Sequence, residues 1–107
     1  MSVSLTPLEE AAVGYAYRQV CMRLRYLVKV GLGYLTLDRS IASLSAGERR
    51  RVDLSIALGA DLAGMLFVLD EPTTCLHPAD IENVVDSIGD LCDRGNTVVA
   101  VDHAPQL

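Results

Sequence analysis

Leu66-Phe67-Val68-Leu69-Asp70-Glu71-Pro72 is the stretch on which the fold turns. An apolar run ends in two adjacent carboxylates, and a proline stops the extended segment. Such a run reads as a fully buried strand of a parallel sheet. In α/β folds, ligands bind beyond the carboxyl ends of these strands. Two bare carboxylates there are costly to desolvate unless something uses their charge. A divalent cation with a phosphate is one such use, one carboxylate serving the metal and its neighbour a water. The other reading is an ordinary strand running into a polar turn, and the flanking segments bear on the choice.

Upstream, Leu44-Ser45-Ala46-Gly47-Glu48-Arg49-Arg50-Arg51-Val52 contains an S-x-x-E capping box, predicting a helix from Ser45 to about Leu58. A capped helix start is stabilising by about 1 kcal/mol with no further role. It also offers free amides and a positive dipole to an anion, and Gly47 lets a phosphate approach the backbone. At least one of the three arginines is expected to pack or pair. Gly59 to Gly64 reads as a short connector. Downstream, Pro78 starts a helix whose core face is Ile81, Val84, Val85, Ile88, Leu91 and Cys92, with Gly95 as its stop. Thr97-Val98-Val99-Ala100-Val101-Asp102-His103 is a second apolar strand, ending in histidine. Strand, helix and strand predict one right-handed unit with parallel strands.

Nearer the N-terminus, Thr6-Pro7-Leu8-Glu9 is another capping box with proline at the first helical position. The helix it opens is expected to reach about Val30 and end at Gly31. Its buried face is predicted at Val13, Tyr17, Val20, Leu24 and Leu27 or Val28. Arg18, Arg25 and Lys29, with Arg23 nearby, fall on another face, which suits solvent and is also able to meet a phosphate backbone. Gly31 to Ser43 reads as a loop with a short turn.

A signature loop opening a helix, a strand ending Asp-Glu and a second strand ending in His follow the order used by ABC-type ATPases. The chain resembles one branch more closely, the UvrA family of nucleotide excision repair. Val30-Gly31-Leu32-Gly33-Tyr34-Leu35-Thr36-Leu37-Asp38-Arg39-Ser40, Asp70-Glu71-Pro72-Thr73-Thr74 with Leu76-His77, and Arg94-Gly95-Asn96-Thr97 carry the resemblance. It covers roughly residues 30 to 103. It implies that Asp70 orients a magnesium ion through water and that Glu71 polarises the water attacking the γ-phosphate of ATP. His103 would sit beside Glu71 as the switch histidine. Ser45, Ala46, Gly47 and Glu48 would face the γ-phosphate held by an opposing P-loop across a dimer. Ala46 and Cys75 stand where the family has glycine, and Asp102 where it commonly has glutamate. His77 matches the family and equally suits an N-cap for the helix at Pro78.

The resemblance also meets an omission. A P-loop, G-x-x-x-x-G-K followed by Ser or Thr, supplies the amides and lysine that hold the β- and γ-phosphates. The only lysine is Lys29, preceded by Val28, so these 107 residues contain no P-loop. The expected fold is therefore α/β, a partial ABC ATPase of the P-loop NTPase type without its P-loop half. Residues 1–43 are expected to form a helical signature-domain segment. Residues 44–107 are expected to carry the signature helix, the Walker B strand, a helix and the switch-histidine strand.

The implied function is that of a fragment of an ATP-dependent sensor of DNA damage. Two alternatives are a truncated, non-catalytic paralogue acting as an interaction module and a UvrA-like drug-resistance ATPase. Implied partners are a P-loop half from the same or a second domain, a second copy of the parent, DNA and other excision-repair subunits. The cofactors are ATP with magnesium in the complete domain.

Composition agrees with a folded domain: half the residues are hydrophobic, so a core is within reach, and charged residues stay at 21%, too few for disorder. No apolar run approaches the ~20 residues needed to cross a bilayer, so no membrane is expected. Cys21, Cys75 and Cys92 are odd in number and widely spaced, which fits a reducing cytoplasm and gives no zinc site in this chain. The zinc modules usual in UvrA proteins are not encoded here. The net charge of −5 gives no support for nucleic-acid binding by the chain as a whole. With two strands and no P-loop half, Leu66, Val68, Val99 and Val101 are expected to present apolar surface without a partner.

Overall fold

The computed structural model describes residues 4–105. Helix α1 (Pro7–Lys29) is followed by a loop with a 3-10 turn at Ile41–Ser43. Then come helix α2 (Ala46–Gly59), strand β1 (Leu66–Asp70), helix α3 (Pro78–Asp93) and strand β2 (Thr97–Val101). The strands form a two-stranded parallel sheet with Leu66 opposite Thr97, Val68 opposite Val99 and Asp70 opposite Val101.

Local chemistry sets the helix ends. Thr6 and Ser45 each close a reciprocal capping box, with Glu9 and Glu48 respectively. His77 caps α3, its Nδ1 accepting from the Ala79 amide at 3.2 Å, and Pro78 takes the first turn. Gly31 ends α1 at φ +83, and a Cβ there would sit 3.0 Å from the Leu76 side chain. Both left-handed backbone and close approach favour glycine at this position.

The core joins Val30 and Leu32 after α1, Leu54 and Leu58 of α2, Leu69 of β1, and Val84 and Leu91 of α3. Phe67, Leu76, Ile88 and Val98 pack against it. Asn96 fastens the entry to the sheet. Its carbonyl accepts from the Met65 amide at 3.0 Å, and its amide donates to the Leu62 and Leu91 carbonyls at 2.7 and 3.0 Å. Arg94 donates to the Leu58 carbonyl and the Tyr26 hydroxyl, binding the end of α3 to α2 and α1.

Three expectations need correction. Val13, Tyr17, Val20 and Val28 are exposed, and α1 buries none of its residues. At 1.5 Å per residue a 23-residue helix is about 35 Å long, and it outreaches the elements that cover it. Of the predicted face, Leu27 does pack against the core, and Tyr26 joins it there near the end of the helix. Strand β1 is covered on one face only. Leu69 is buried, whereas Leu66 and Val68 are 63% and 71% exposed, and Val99 and Val101 beside them are 49% and 61% exposed. The apolar surface foreseen at these four positions is therefore present, on the sheet face opposite α3. In α3 the buried positions are Val84, Ser87 and Leu91, and Cys92 is exposed. Ser87 replaces it inward because its hydroxyl donates to the Asn83 carbonyl at 2.7 Å and is satisfied within the helix.

A candidate nucleotide site at the strand ends

The parallel register brings Asp70 and Val101 level, so the residues after both strands emerge side by side. The Glu71 amide extends the ladder by donating to the Val101 carbonyl at 2.6 Å. Glu71 itself takes φ +48, a left-handed conformation unusual for a residue with a Cβ. This twist carries its side chain across to the next strand. Oε1 lies 3.3 Å from His103 Nε2, and Oε2 accepts from the Thr74 hydroxyl at 3.2 Å. The His103 side chain is 91% exposed, so its ring faces open solvent apart from this contact.

Asp70 points elsewhere. Its carboxylate is 69% exposed and meets Arg50 at 3.2 Å, a surface ion pair worth roughly 0–1 kcal/mol. No group of three or more His, Cys, Asp or Glu side chains able to hold a metal lies among the described residues. Magnesium takes one or two carboxylates and otherwise keeps water and phosphate oxygens, so Asp70, once free of Arg50, is the side chain here that could hold it.

The loop after Glu71 is held from two sides. Asp102 accepts from the Thr73 amide at 2.9 Å and the Thr73 hydroxyl at 2.6 Å, and also from the His103 and Ala104 amides at 2.7 and 3.0 Å. Burial by itself would push the Asp102 carboxyl up, but these donors outweigh it and hold the group below the usual range. From the other side, Arg51 donates through Nη1 to the Thr74 carbonyl at 2.9 Å. Cys75 follows at φ +62, so cysteine occupies a left-handed position where the family pattern has glycine.

Helix α2 brings its N-terminus to the same loop. A Cβ on Gly47 would lie 3.0 Å from the Thr74 carbonyl oxygen, so this glycine permits the contact. Ser45 caps the helix and is exposed, while Glu48 turns inward and accepts from the Tyr34 hydroxyl at 2.6 Å and the Ser45 amide at 2.9 Å. These bonds, Tyr34 first, lower the Glu48 carboxyl to about 2. The Tyr34 hydroxyl is pushed up in turn, by partial burial and by its bond to Glu48. Ala46 is absent from the left-handed residues and begins the helix, so its backbone has no need of glycine.

Of the sequence-predicted residues, the fold places Glu71 against His103 and Gly47 against the loop that follows Glu71. Asp70 lies at the same strand end with its side chain on Arg50. The expected packing or pairing among the three arginines is met by Arg50 and Arg51, while the bond of Arg51 to Thr74, the contacts of Asn96 and the holding role of Asp102 are not readable from the sequence. Arg51 stands in a run of three arginines with nothing local to single it out. In sequence Asp102 stands out only as a departure from glutamate.

A parallel β-α-β unit whose strand ends hold a Glu-His contact beside a capped helix start defines the class of the chain. Comparison with known proteins narrows it. No protein-family model matches. The chain is 47% identical to UvrABC system protein A of Aquifex aeolicus over 89 residues, 83% of this chain and 10% of that protein. It is 41% identical to the protein of that name from Treponema pallidum over 105 residues, 98% of this chain and 11% of that one. The crystal structure of UvrA2 from Deinococcus radiodurans superposes with a TM-score of 0.84 at 40% identity, covering 92% of this chain and 12% of the other. Over this span the chain belongs to the UvrA family. It spans about a tenth of the length of the curated relatives it matches.

Proposed function

We propose that the chain supplies the signature helix and the hydrolytic strand ends of a UvrA-like ATPase acting in DNA damage recognition. The observation that carries this reading is the contact of Glu71 with His103 across adjacent parallel strand ends. His103 Nε2 lies 3.3 Å from one carboxylate oxygen and the Thr74 hydroxyl donates to the other at 3.2 Å, so the carboxylate has a neighbour on each oxygen. Glu71 there orients an attacking water, and His103 senses the γ-phosphate. Asp70 would hold magnesium through water, leaving Arg50 to do so. The metal's contribution is neutralisation of phosphate charge. Ser45, Ala46, Gly47 and Glu48 present the start of α2 to the same phosphate.

These 107 residues contain no P-loop sequence, so turnover requires a P-loop half, from the same protein or a second one. DNA, a second copy of the parent and the other subunits of the excision system are the further proposed partners, in the cytoplasm. Among the described residues no helix is long and apolar enough to cross a membrane.

The test is reconstitution. The chain alone should show no measurable affinity for Mg-ATP by calorimetry, and micromolar binding would count against the proposal. Mixed with a separately expressed P-loop half of a UvrA relative, it should hydrolyse ATP. Glu71→Gln should nearly abolish that turnover and spare binding, whereas Asp70→Asn should weaken magnesium-dependent binding itself. Equal effects of both changes on affinity would refute the division of roles.

The open sheet face at Leu66, Val68, Val99 and Val101 is what a P-loop half would cover, and the alternative to that reading is an interaction module without catalysis. A monodisperse, sharply melting chain that ignores the P-loop half would support it.

A further inference from the structure

Arg51 is 2% exposed, and its Nε is a buried side-chain nitrogen with no hydrogen-bond partner among the described residues. An apolar side chain of similar length would fill the same space without burying a charge or stranding a donor. Core packing therefore gives no reason for arginine at this position. It donates through Nη1 to the Thr74 carbonyl at 2.9 Å, and its charge also lies near the Tyr34 hydroxyl. Gly47, one helical turn earlier, lies against that same carbonyl. Thr74 in turn donates its hydroxyl to Glu71 Oε2, and Glu71 Oε1 meets His103.

We infer that Arg51 is a positioning residue that couples the start of helix α2 to the Glu71–His103 contact through Thr74. The inference rests on the hydrolytic role proposed for Glu71, but the coupling itself is a property of this chain. A guanidinium fixed in α2 sets the height of the Thr74 peptide. That peptide sets where the Thr74 hydroxyl stands and so which way the Glu71 carboxylate is turned. A displacement of the α2 N-terminus is transmitted to the carboxylate along this line. Gly47 makes the line short, because no side chain separates helix from loop.

Nuclear Overhauser contacts in the 107-residue chain test the coupling. The wild type should show contacts between the Glu71 side chain and the His103 ring. Arg51→Met should lose them and shift the Thr74 carbonyl resonance, while amide resonances in the C-terminal half of α2 stay in place. Arg51→Lys, which still reaches a carbonyl with a charge, should restore part of the contact. Thr74→Val should lose the Glu71–His103 contact and leave the Arg51 side-chain resonances unmoved. Retention of the contact in Arg51→Met overturns the inference. So does collapse of dispersion across the whole spectrum in both Arg51 variants, which makes the residue one of folding only. In the reconstituted ATPase, Arg51→Met should lower kcat by up to about 100-fold with KM for ATP unchanged. Absence of any wild-type hydrolysis would count against the ATPase reading and leave the spectroscopic result standing.

Discussion

Asp102 accepts both the amide and the hydroxyl of Thr73, at 2.9 and 2.6 Å, and so ties the loop after β1 to the end of β2. Thr73 is buried, so these are the partners that satisfy its polar atoms away from water. The same carboxylate takes the His103 amide. One side chain therefore fixes the backbone on both sides of the Glu71–His103 contact.

Asp102→Ala should destabilise the chain by about 1–3 kcal/mol, because it strands the Thr73 donors instead of merely removing a bond. Urea unfolding followed by circular dichroism measures this. A loss within experimental error would mean that the Thr73 loop opens to water at no cost.

Gly47 and Gly14 should answer oppositely to alanine. At Gly47 the added methyl meets the Thr74 carbonyl oxygen at 3.0 Å and the Arg51 guanidinium at 3.3 Å, and overpacking should cost about 1–3 kcal/mol. At Gly14, inside α1, the nearest atom is the tip of Arg18 at 3.8 Å, and alanine should gain up to about 1 kcal/mol from helix propensity. The same sign at both sites in thermal unfolding would refute the packing of α2 on the Thr74 loop.

Cys75→Gly should stabilise. A left-handed residue with a Cβ costs about 1–2 kcal/mol, and glycine returns about 0.5–1 kcal/mol of that as unfolded-state entropy, leaving a net gain of roughly 0.5–1 kcal/mol. An unchanged or lowered denaturation midpoint would show that the thiol makes good the strain.

Acid should act on the chain partly through Glu48. A carboxyl held below its unfolded value adds stability that is complete above that value and lost as the pH falls. Here the window runs from about 4.5 down to about 2, and the first cause is the Tyr34 hydroxyl. Tyr34→Phe should therefore shrink the stability lost across that window and leave less difference between neutral and acid denaturation midpoints. Equal acid losses in wild type and Tyr34→Phe would remove Tyr34 as the cause.

What the sequence determined by itself was local. Thr6 with Glu9, Ser45 with Glu48, Pro78, Gly31 and Gly95 marked the helix ends, because caps and breakers act over a few residues. Two apolar runs with one helix between them determined parallel pairing, and this is enough to bring Glu71 and His103 to neighbouring strand ends. Tertiary structure decided what periodicity does not encode. Val13, Tyr17 and Val20 have helical spacing, yet whether a stripe is covered depends on how far the other elements extend, and α1 outruns them. Arg49, Arg50 and Arg51 are alike in sequence, yet one is exposed, one pairs with Asp70 and one is buried against Thr74. Successive residues on a helix point about 100° apart, so neighbours in the chain face different surroundings. Which arginine meets a carbonyl 23 residues away is set by the packing of α2 on the strand-end loop, and only the folded chain brings the two together.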